Sequence, residues 1–194
     1  ALFNRTAIEV CEGQQWDMEF ESMPSVSEKQ YINMIKLKTA VLLGFSLQLG
    51  AMLANAKPAQ QKALYQFGVN IGVGFQLKDD LLDAYADPDK FGKQVGGDII
   101  ANKKTYLLIQ ALERANPTQL KELQHWLGVK QFDKEEKVKA VKAIYDATGV
   151  PALTEKKSKA YFKKGFDSLN EIKGDKKAKE TLIQFAQDLI VRQR

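Results

Sequence analysis

Three aspartates lie close together in the segment FQLKDDLLD at residues 75–83. Asp79 and Asp83 are four residues apart, so a helix would place them on one face with Asp80 beside them. Like charges this close repel one another, and on an apolar helix they are costly unless cations neutralise them. Because oxygen ligands suit Mg²⁺, which often bridges one or two carboxylates to a phosphate, this spacing predicts a magnesium site. The alternative is an acidic turn that is exposed to solvent.

A lysine interrupts an apolar stripe earlier in the chain. Lys38 falls within the stripe, and Thr39 follows it directly. The apolar members recur at helical spacing: Tyr31, Ile35, Leu42, Phe45 and Leu49. An ammonium group that points inward needs an anion, and the Thr39 hydroxyl would lie at the same depth. The alternative is a lysine whose stem is buried while its ammonium group reaches solvent.

Glycines and lysines are concentrated in a third segment, FGKQVGGD at residues 91–98 followed by NKKTY at 102–106. Glycine permits tight turns close to a ligand, and Lys93 and Lys103 could place positive charges on phosphate oxygens. The spacing of a Walker P-loop is missing from this segment, so nucleotide hydrolysis is not indicated. A surface loop with solvated lysines is the alternative. Together, the three segments predict a site where Mg²⁺ and lysines hold a diphosphate.

The elements that must position these residues are predicted to be helices. Apolar residues do not alternate with period two over any long stretch, which favours an all-α bundle of about eight helices. The first helix is expected to end near Phe20, Ser27 to cap the next, and Pro58 to open the helix that carries the aspartates. Gly68 and Gly72 would let a neighbouring helix approach closely. Later boundaries are predicted at Asn116-Pro117, Asp133, Gly149 and Gly174-Asp175.

Length and composition exclude several classes of protein. With 194 residues, of which 44% are hydrophobic and 27% charged, the chain is predicted to form a single domain over 1–194. The one cysteine, Cys11, and the one histidine, His125, cannot supply a Cys/His zinc site or an intramolecular disulfide. The net charge of +5 comes from 133–179, where 13 lysines are mixed with 8 acidic residues. That mixture favours a solvated helix face over binding of nucleic acid.

Two uncharged runs, 39–56 and 63–77, raise the alternative of a pair of membrane helices. Polar residues such as Gln48 and Asn70 are scattered through both runs, which favours buried helices of a helical domain and no membrane span. Because paired cysteines and a secretory segment are both missing from the sequence, a cytoplasmic protein is expected. The abrupt start at Ala1 leads us to expect the C-terminal part of a longer protein.

Four motifs of the sequence resemble those of the trans-isoprenyl diphosphate synthases. In chain order they are Gly13-Gln14 with Asp17, the stretch from Tyr31 to Lys38-Thr39-Ala40, Phe75-Gln76 with Asp79-Asp80-Leu81-Leu82-Asp83, and Gly92-Lys93 through Gly97-Asp98 to Asn102-Lys103. The resemblance extends to about Tyr106 and weakens beyond it. It implies an isoprenoid synthase fold, a homodimer and Mg²⁺-dependent head-to-tail condensation of an allylic diphosphate with isopentenyl diphosphate.

The same resemblance implies a role for each site residue. Three carboxylates would hold Mg²⁺ against the allylic diphosphate: Asp79, Asp80 and Asp83. Three lysines would neutralise that diphosphate: Lys38, Lys93 and Lys103. Thr39 and Gln76 would line the allylic carbon, where their oxygens can stabilise a developing carbocation, and Gln14 and Asp17 would support Lys38.

The sequence also departs from that family. These 194 residues do not contain the first aspartate-rich motif, the arginine pair or the isopentenyl diphosphate contacts of that family. We therefore expect that residues 1–194 by themselves do not turn over substrate. Three alternatives stay open: a non-catalytic subunit of a heteromeric prenyl synthase, a class I terpene cyclase, or a structural helical protein. A cyclase would carry a later Asn-Ser/Thr-Glu metal motif, which this sequence does not contain.

Overall fold

A computed structural model describes residues 1–86 and 95–191, and these residues are helical with no strand among them. Nine of the helices in these ranges have eight residues or more, against about eight predicted. The α-helices are α1 Leu2–Ser22, α2 Glu28–Ile35, α3 Val41–Leu53, α4 Pro58–Tyr85, α5 Gly97–Ile100, α6 Tyr106–Arg114, α7 Pro117–Gly128, α8 Lys134–Ala147, α9 Val150–Asn170 and α10 Lys176–Val191. A π-helical turn, Lys36–Ala40, joins α2 to α3.

Capping residues set the helix starts where the sequence predicts them. The backbone N–H of Gln30 donates to Ser27 Oγ at 3.3 Å, and the N–H of Ser27 donates to Gln30 Oε1 at 2.9 Å. The same reciprocal pair joins Asn116 and Gln119 at the start of α7, with Pro117 as its first residue. These bonds satisfy amides that have no partner within the helix, which is why the boundaries are readable from sequence.

The described residues form two compact units. The first contains Ala1–Met18, Ile32–Gln76 and residues 157–191. Its buried core consists of Phe67, Ile71, Phe162, Leu169 and Ala186. The second contains Glu19–Tyr31 and Leu77–Lys156, and its core is built mainly from α6, α7 and α8.

The predicted close approach at Gly68 and Gly72 is confirmed in the first unit. A Cβ atom on Gly68 would lie 2.7 Å from Cα of Gly44, and one on Gly72 would lie 2.7 Å from Cα of Ala40. Real Cβ atoms do not come this close to another backbone. The central part of α4 therefore lies directly against α3 and the π-helical turn, as only glycine allows.

The prediction that the apolar stripe is buried along its whole length is wrong for two of the residues that follow the π-helical turn. Ile35 and Phe45 are buried as expected, but Leu42 and Leu49 are 50% and 37% exposed. A π-helical turn inserts one residue into the helix, so positions after it are rotated by about 100° from the faces that regular spacing predicts. Residues before the turn keep the predicted face, and those after it divide between core and surface.

Of the residues that the structure describes, one helical run, Glu28–Leu53, is long and apolar enough to cross a membrane by composition alone. Core helices of soluble proteins pass the same test, and 39% of its most apolar window is buried. The second uncharged run, 63–77, does not pass it. Its side chains Phe67, Ile71 and Val73 are each 1% exposed, which agrees with the predicted core helix.

Candidate active site

Lys38 lies in the π-helical turn and forms an ion pair with Asp17 of α1. The distance from Nζ to Asp17 Oδ2 is 2.6 Å, and the two side chains are 37% and 29% exposed. The predicted need of this lysine for an anion is thus met by a carboxylate from the neighbouring helix. Both groups keep a solvent-accessible side from which a second anion could reach the ammonium.

Gly13 explains how α1 comes close enough to make that ion pair. A Cβ atom at Gly13 would lie 2.2 Å from the backbone nitrogen of Lys38, so the two backbones are in direct contact. Asp17 is four residues after Gly13 and shares its helix face. Gln14 is one position further around the helix, where it is exposed, and no described contact joins it to Lys38. The structure therefore does not bring Gln14 into the supporting position that was expected.

Thr39 and Gln76 are brought together, as expected of residues that act on one atom. The Thr39 hydroxyl donates to Gln76 Oε1 at 3.2 Å, and both side chains are partly buried. The close contact between Gly72 and Ala40 lies one helical turn before Gln76 and draws α4 against the π-helical turn. A threonine oxygen and an amide oxygen thus share one small volume within the first unit.

Asp80 differs from Asp79 and Asp83, because its carboxyl group is buried inside the second unit. It is 6% exposed, and Oδ2 accepts hydrogen bonds from the Tyr31 hydroxyl at 2.5 Å and from the Tyr106 backbone N–H at 3.3 Å. Burial raises the pKa of this carboxyl group from 3.8 to about 8, although both hydrogen bonds act to lower the pKa. Asp80 therefore anchors the start of α6 and Tyr31.

Asp83 and Lys103 are joined through Asp98. Asp83 Oδ2 accepts the backbone N–H of Asp98 at 2.9 Å, and Asp98 Oδ1 lies 2.7 Å from Nζ of Lys103. Asp83 is partly buried, and desolvation raises the pKa of its carboxyl group. The Lys103 side chain is 53% exposed. A carboxylate of the acidic motif is thus linked to one of the predicted phosphate-binding lysines, whereas Lys93 lies outside the described residues.

The polyprenyl synthetase family model matches residues 1–145, three quarters of the chain, and this stretch contains every predicted site residue. The chain belongs to the polyprenyl synthetase family. This confirms the family that the four motifs indicated. It also confirms the all-α fold, because solved members of the family superpose closely on the chain.

Individual members are similar over the whole chain. The chain is 34% identical to a geranylgeranyl diphosphate synthase from Sulfolobus acidocaldarius, over 100% of this chain and 58% of that protein. A crystal structure of a geranylgeranyl pyrophosphate synthase superposes with a TM-score of 0.91 at 40% identity, covering 98% of this chain and 59% of the other. A geranylgeranyl pyrophosphate synthase from Corynebacterium glutamicum, solved with isoprenyl diphosphate and magnesium, superposes with a TM-score of 0.89 at 29% identity. The match covers 98% of this chain and 54% of the other. The chain thus spans a little over half the length of these relatives.

In this chain, the acidic motif offers a metal fewer ligands than the spacing predicts. No group of three acidic, histidine or cysteine side chains within 1–86 and 95–191 is arranged to hold a metal ion. Asp79 and Asp83 are partly exposed and four apart on α4, while Asp80 is committed to Tyr31 and Tyr106. Two partly exposed carboxylates suit Mg²⁺, which keeps much of its water shell and takes the rest of its ligands from phosphate.

Tyr31 and Tyr106 were not predicted as partners of the acidic motif. The sequence places Tyr31 in an apolar stripe and Tyr106 at the end of the glycine and lysine segment. Both rings are 2% exposed, and their centroids are 6.3 Å apart. A buried tyrosine hydroxyl needs a partner, and this is the only signal that could have linked Tyr31 to a polar group.

A groove of about 460 Å³ lies in the second unit beside α8. It is lined by Val95, Ile100, Lys134, Glu135, Val138, Lys139, Lys142, Ala143 and Asp146. The predicted site residues are not among its lining residues. The groove is therefore separate from the candidate active site.

The buried Asp80 carboxyl group predicts a pH dependence of stability in metal-free buffer. Between pH 4 and 8 the unfolded state has released a proton that the folded state keeps, so stability falls as pH rises, by up to about 1.4 kcal/mol per pH unit. Asp80→Asn keeps an acceptor for both donors and has no proton to release. We expect its unfolding free energy to exceed that of the native protein by more at pH 7 than at pH 5, as measured by urea unfolding with EDTA. An equal difference at the two pH values would contradict the burial of an ionisable group here.

Proposed function

We propose that this protein is a prenyltransferase that condenses an allylic diphosphate with isopentenyl diphosphate, with Mg²⁺ as cofactor. The observation that carries the proposal is the family match over all of the predicted site residues. The relative solved with isoprenyl diphosphate and magnesium supports the substrate class and the metal. The similar proteins are diphosphate synthases, and they do not favour a terpene cyclase or a non-catalytic subunit.

The chemistry required is stabilisation of a leaving group. When the allylic carbon–oxygen bond breaks, the electron pair goes to the diphosphate, so fixed positive charge stabilises the transition state more than the substrate. Mg²⁺, held by Asp79 and Asp83, supplies part of that charge when bound. In this proposal Lys38, Lys93 and Lys103 supply the rest of the positive charge.

The carbocation that remains needs weak dipoles and exclusion of water. Thr39 Oγ1 and Gln76 Oε1 lie 3.2 Å apart and present oxygen lone pairs without a full negative charge. A full charge would combine with the cation, whereas these dipoles stabilise it while the isopentenyl double bond attacks. The new cation then loses a proton to the released diphosphate, and this forms the double bond of the product. In this proposal Asp17 holds the Lys38 side chain in place and takes no direct part in cleavage of the carbon–oxygen bond.

The proposal includes a homodimer in the cytoplasm, without a nucleic acid partner. Support for a protein partner comes from large apolar side chains that the first unit leaves exposed on α1 and α3. Phe3 is 65% exposed, Ile8 58% and Leu53 77%. Apolar groups exposed in this way favour burial against another protein surface. We further propose that residues 1–194 bind the allylic diphosphate but do not complete the condensation, since the first aspartate-rich motif is not found among them.

Titration of the 194-residue chain with a non-hydrolysable allylic diphosphate tests this function. We expect binding in Mg²⁺, loss of binding in EDTA, and a loss of roughly a hundredfold in affinity for Asp79→Ala, because one metal ligand is removed. Glu122→Ala, which removes an exposed carboxylate of α7, is the matched control and should bind normally. Calorimetry gives the affinities, and radiolabelled isopentenyl diphosphate should give no product. Binding that is indifferent to both EDTA and Asp79→Ala would contradict the proposed metal site.

A further inference from the structure

Lys137 is a buried lysine in a segment whose lysines are otherwise mostly exposed. It is 1% exposed, and its ammonium group donates to Asn102 Oδ1 at 2.6 Å and to the Ile100 carbonyl oxygen at 3.3 Å. The ring centroid of Phe132 lies 4.2 Å from Nζ. Throughout 1–86 and 95–191 no carboxylate pairs with it. A buried charge with only neutral partners is costly in free energy. This cost directs attention to the groups that Lys137 holds, which are Asn102 and the Ile100 carbonyl.

Lys137 and the Leu127 carbonyl group hold the two ends of the Asn102 side-chain amide. An ammonium group can only donate, so the amide oxygen of Asn102 must face Lys137, and the amide nitrogen is left to donate to the Leu127 carbonyl oxygen at 3.1 Å. Asn102 has a φ of +55°, in the left-handed region that residues other than glycine adopt less often, asparagine more readily than most of them. The two hydrogen bonds therefore hold a backbone conformation that is unfavourable by itself.

Lys103 follows directly on this constrained residue. Its backbone N–H donates to the Asp98 carbonyl oxygen at 3.0 Å, and its ammonium group lies 2.7 Å from Asp98 Oδ1. Only about 10 Å³ of free volume is left among Asp98, Asn102, Lys103 and Lys137, which is too little for more than one water molecule. The backbone at Lys103 is thus set by direct contacts, and a change at Asn102 would move the ammonium group.

We propose that Lys137 is a positioning residue for diphosphate binding, which acts through Asn102 on the placement of Lys103. The inference rests on the proposed function, in which Lys103 contacts a phosphate oxygen. A lysine that served stability alone would affect unfolding without any dependence on Lys103. The two roles therefore differ in how substitutions combine.

A double-mutant cycle on the 194-residue chain separates these roles, with calorimetric titration of inorganic pyrophosphate in MgCl₂. Lys103→Ala should weaken binding roughly tenfold, and Lys137→Met, which keeps the length of the side chain without its donors, should weaken it by nearly as much. If Lys137 acts through Lys103, the double variant should bind no worse than Lys103→Ala alone. Lys139→Met, at an exposed position of the same helix, is the control and should bind normally.

Asn102→Gly tests the connecting residue and covers the case in which Lys137→Met fails to fold. Glycine adopts the left-handed conformation freely but has no amide for Lys137 to hold, so binding should fall as it does in Lys137→Met. Circular dichroism monitors folding of each variant. Fully additive losses in the double variant, or normal binding by a folded Asn102→Gly, would overturn the inference. Normal binding by Lys103→Ala would instead overturn the phosphate contact assigned to Lys103 under the proposed function.

Discussion

Gly13→Ala should lower the free energy of unfolding by about 3 kcal/mol, the upper end of the usual effect of overpacking. The new Cβ atom would lie 2.2 Å from the backbone nitrogen of Lys38 and 2.7 Å from the carbonyl carbon of Leu37. Both of these are backbone atoms, so no side-chain rotation can relieve the clash. We expect α1 to move away from the π-helical turn, which also separates Asp17 from Lys38.

Gly50→Ala is a matched control for this substitution. Gly50 lies on α3 in the same unit, and a Cβ atom there would meet no atom within 4 Å. Alanine in an exposed helix position should stabilise the protein by about 0.5–1 kcal/mol, because glycine loses more backbone entropy on folding. Urea unfolding of the two variants should give changes of opposite sign. A Gly13→Ala protein as stable as the native one would show that the two backbones are not in contact.

Much of the fold could be predicted because helix ends are determined locally. Ser27, Asn116 and Pro117 mark helix starts through bonds to residues three positions away or through a fixed φ, and such effects need no tertiary contact. The faces of the helices were harder to predict. Regular spacing places Leu42 on the buried face, but the π-helical turn before it shifts that face, and its extra residue has no marker in the sequence.

The sequence predicts which residue types form the candidate site better than it predicts how those residues are arranged. The aspartates at 79, 80 and 83 are chemically equivalent in the sequence, and what separates Asp80 is a tyrosine 49 positions earlier. Lys137 is hidden for a similar reason, because it lies among lysines and acids whose composition indicates a solvated helix face. Its burial depends on the end of α5 and the turn after it, residues 100–102, which no helical spacing could indicate.

Lys38→Met should weaken binding of a non-hydrolysable allylic diphosphate in Mg²⁺ by roughly a hundredfold, equivalent to about 3 kcal/mol. Stability should change much less, because the ion pair with Asp17 is partly exposed and such pairs contribute at most about 1 kcal/mol. This contrast identifies a binding residue, since a structural lysine would lose stability and affinity together. Calorimetric titration and urea unfolding of the same samples measure both quantities.

Lys36→Met provides the comparison that decides whether position or net charge matters. Lys36 lies in the same π-helical turn, so its substitution removes the same charge from nearly the same place. Its side chain is exposed, however, and Asp17 pairs with Lys38 instead. If a diphosphate is recognised by an ammonium group held at a defined point, Lys36→Met should bind within about twofold of the native protein, since exposed charges are screened by solvent and salt. Equal losses in the two variants would mean that the turn attracts anions only through its overall charge, and Lys38 would then lose its assigned role.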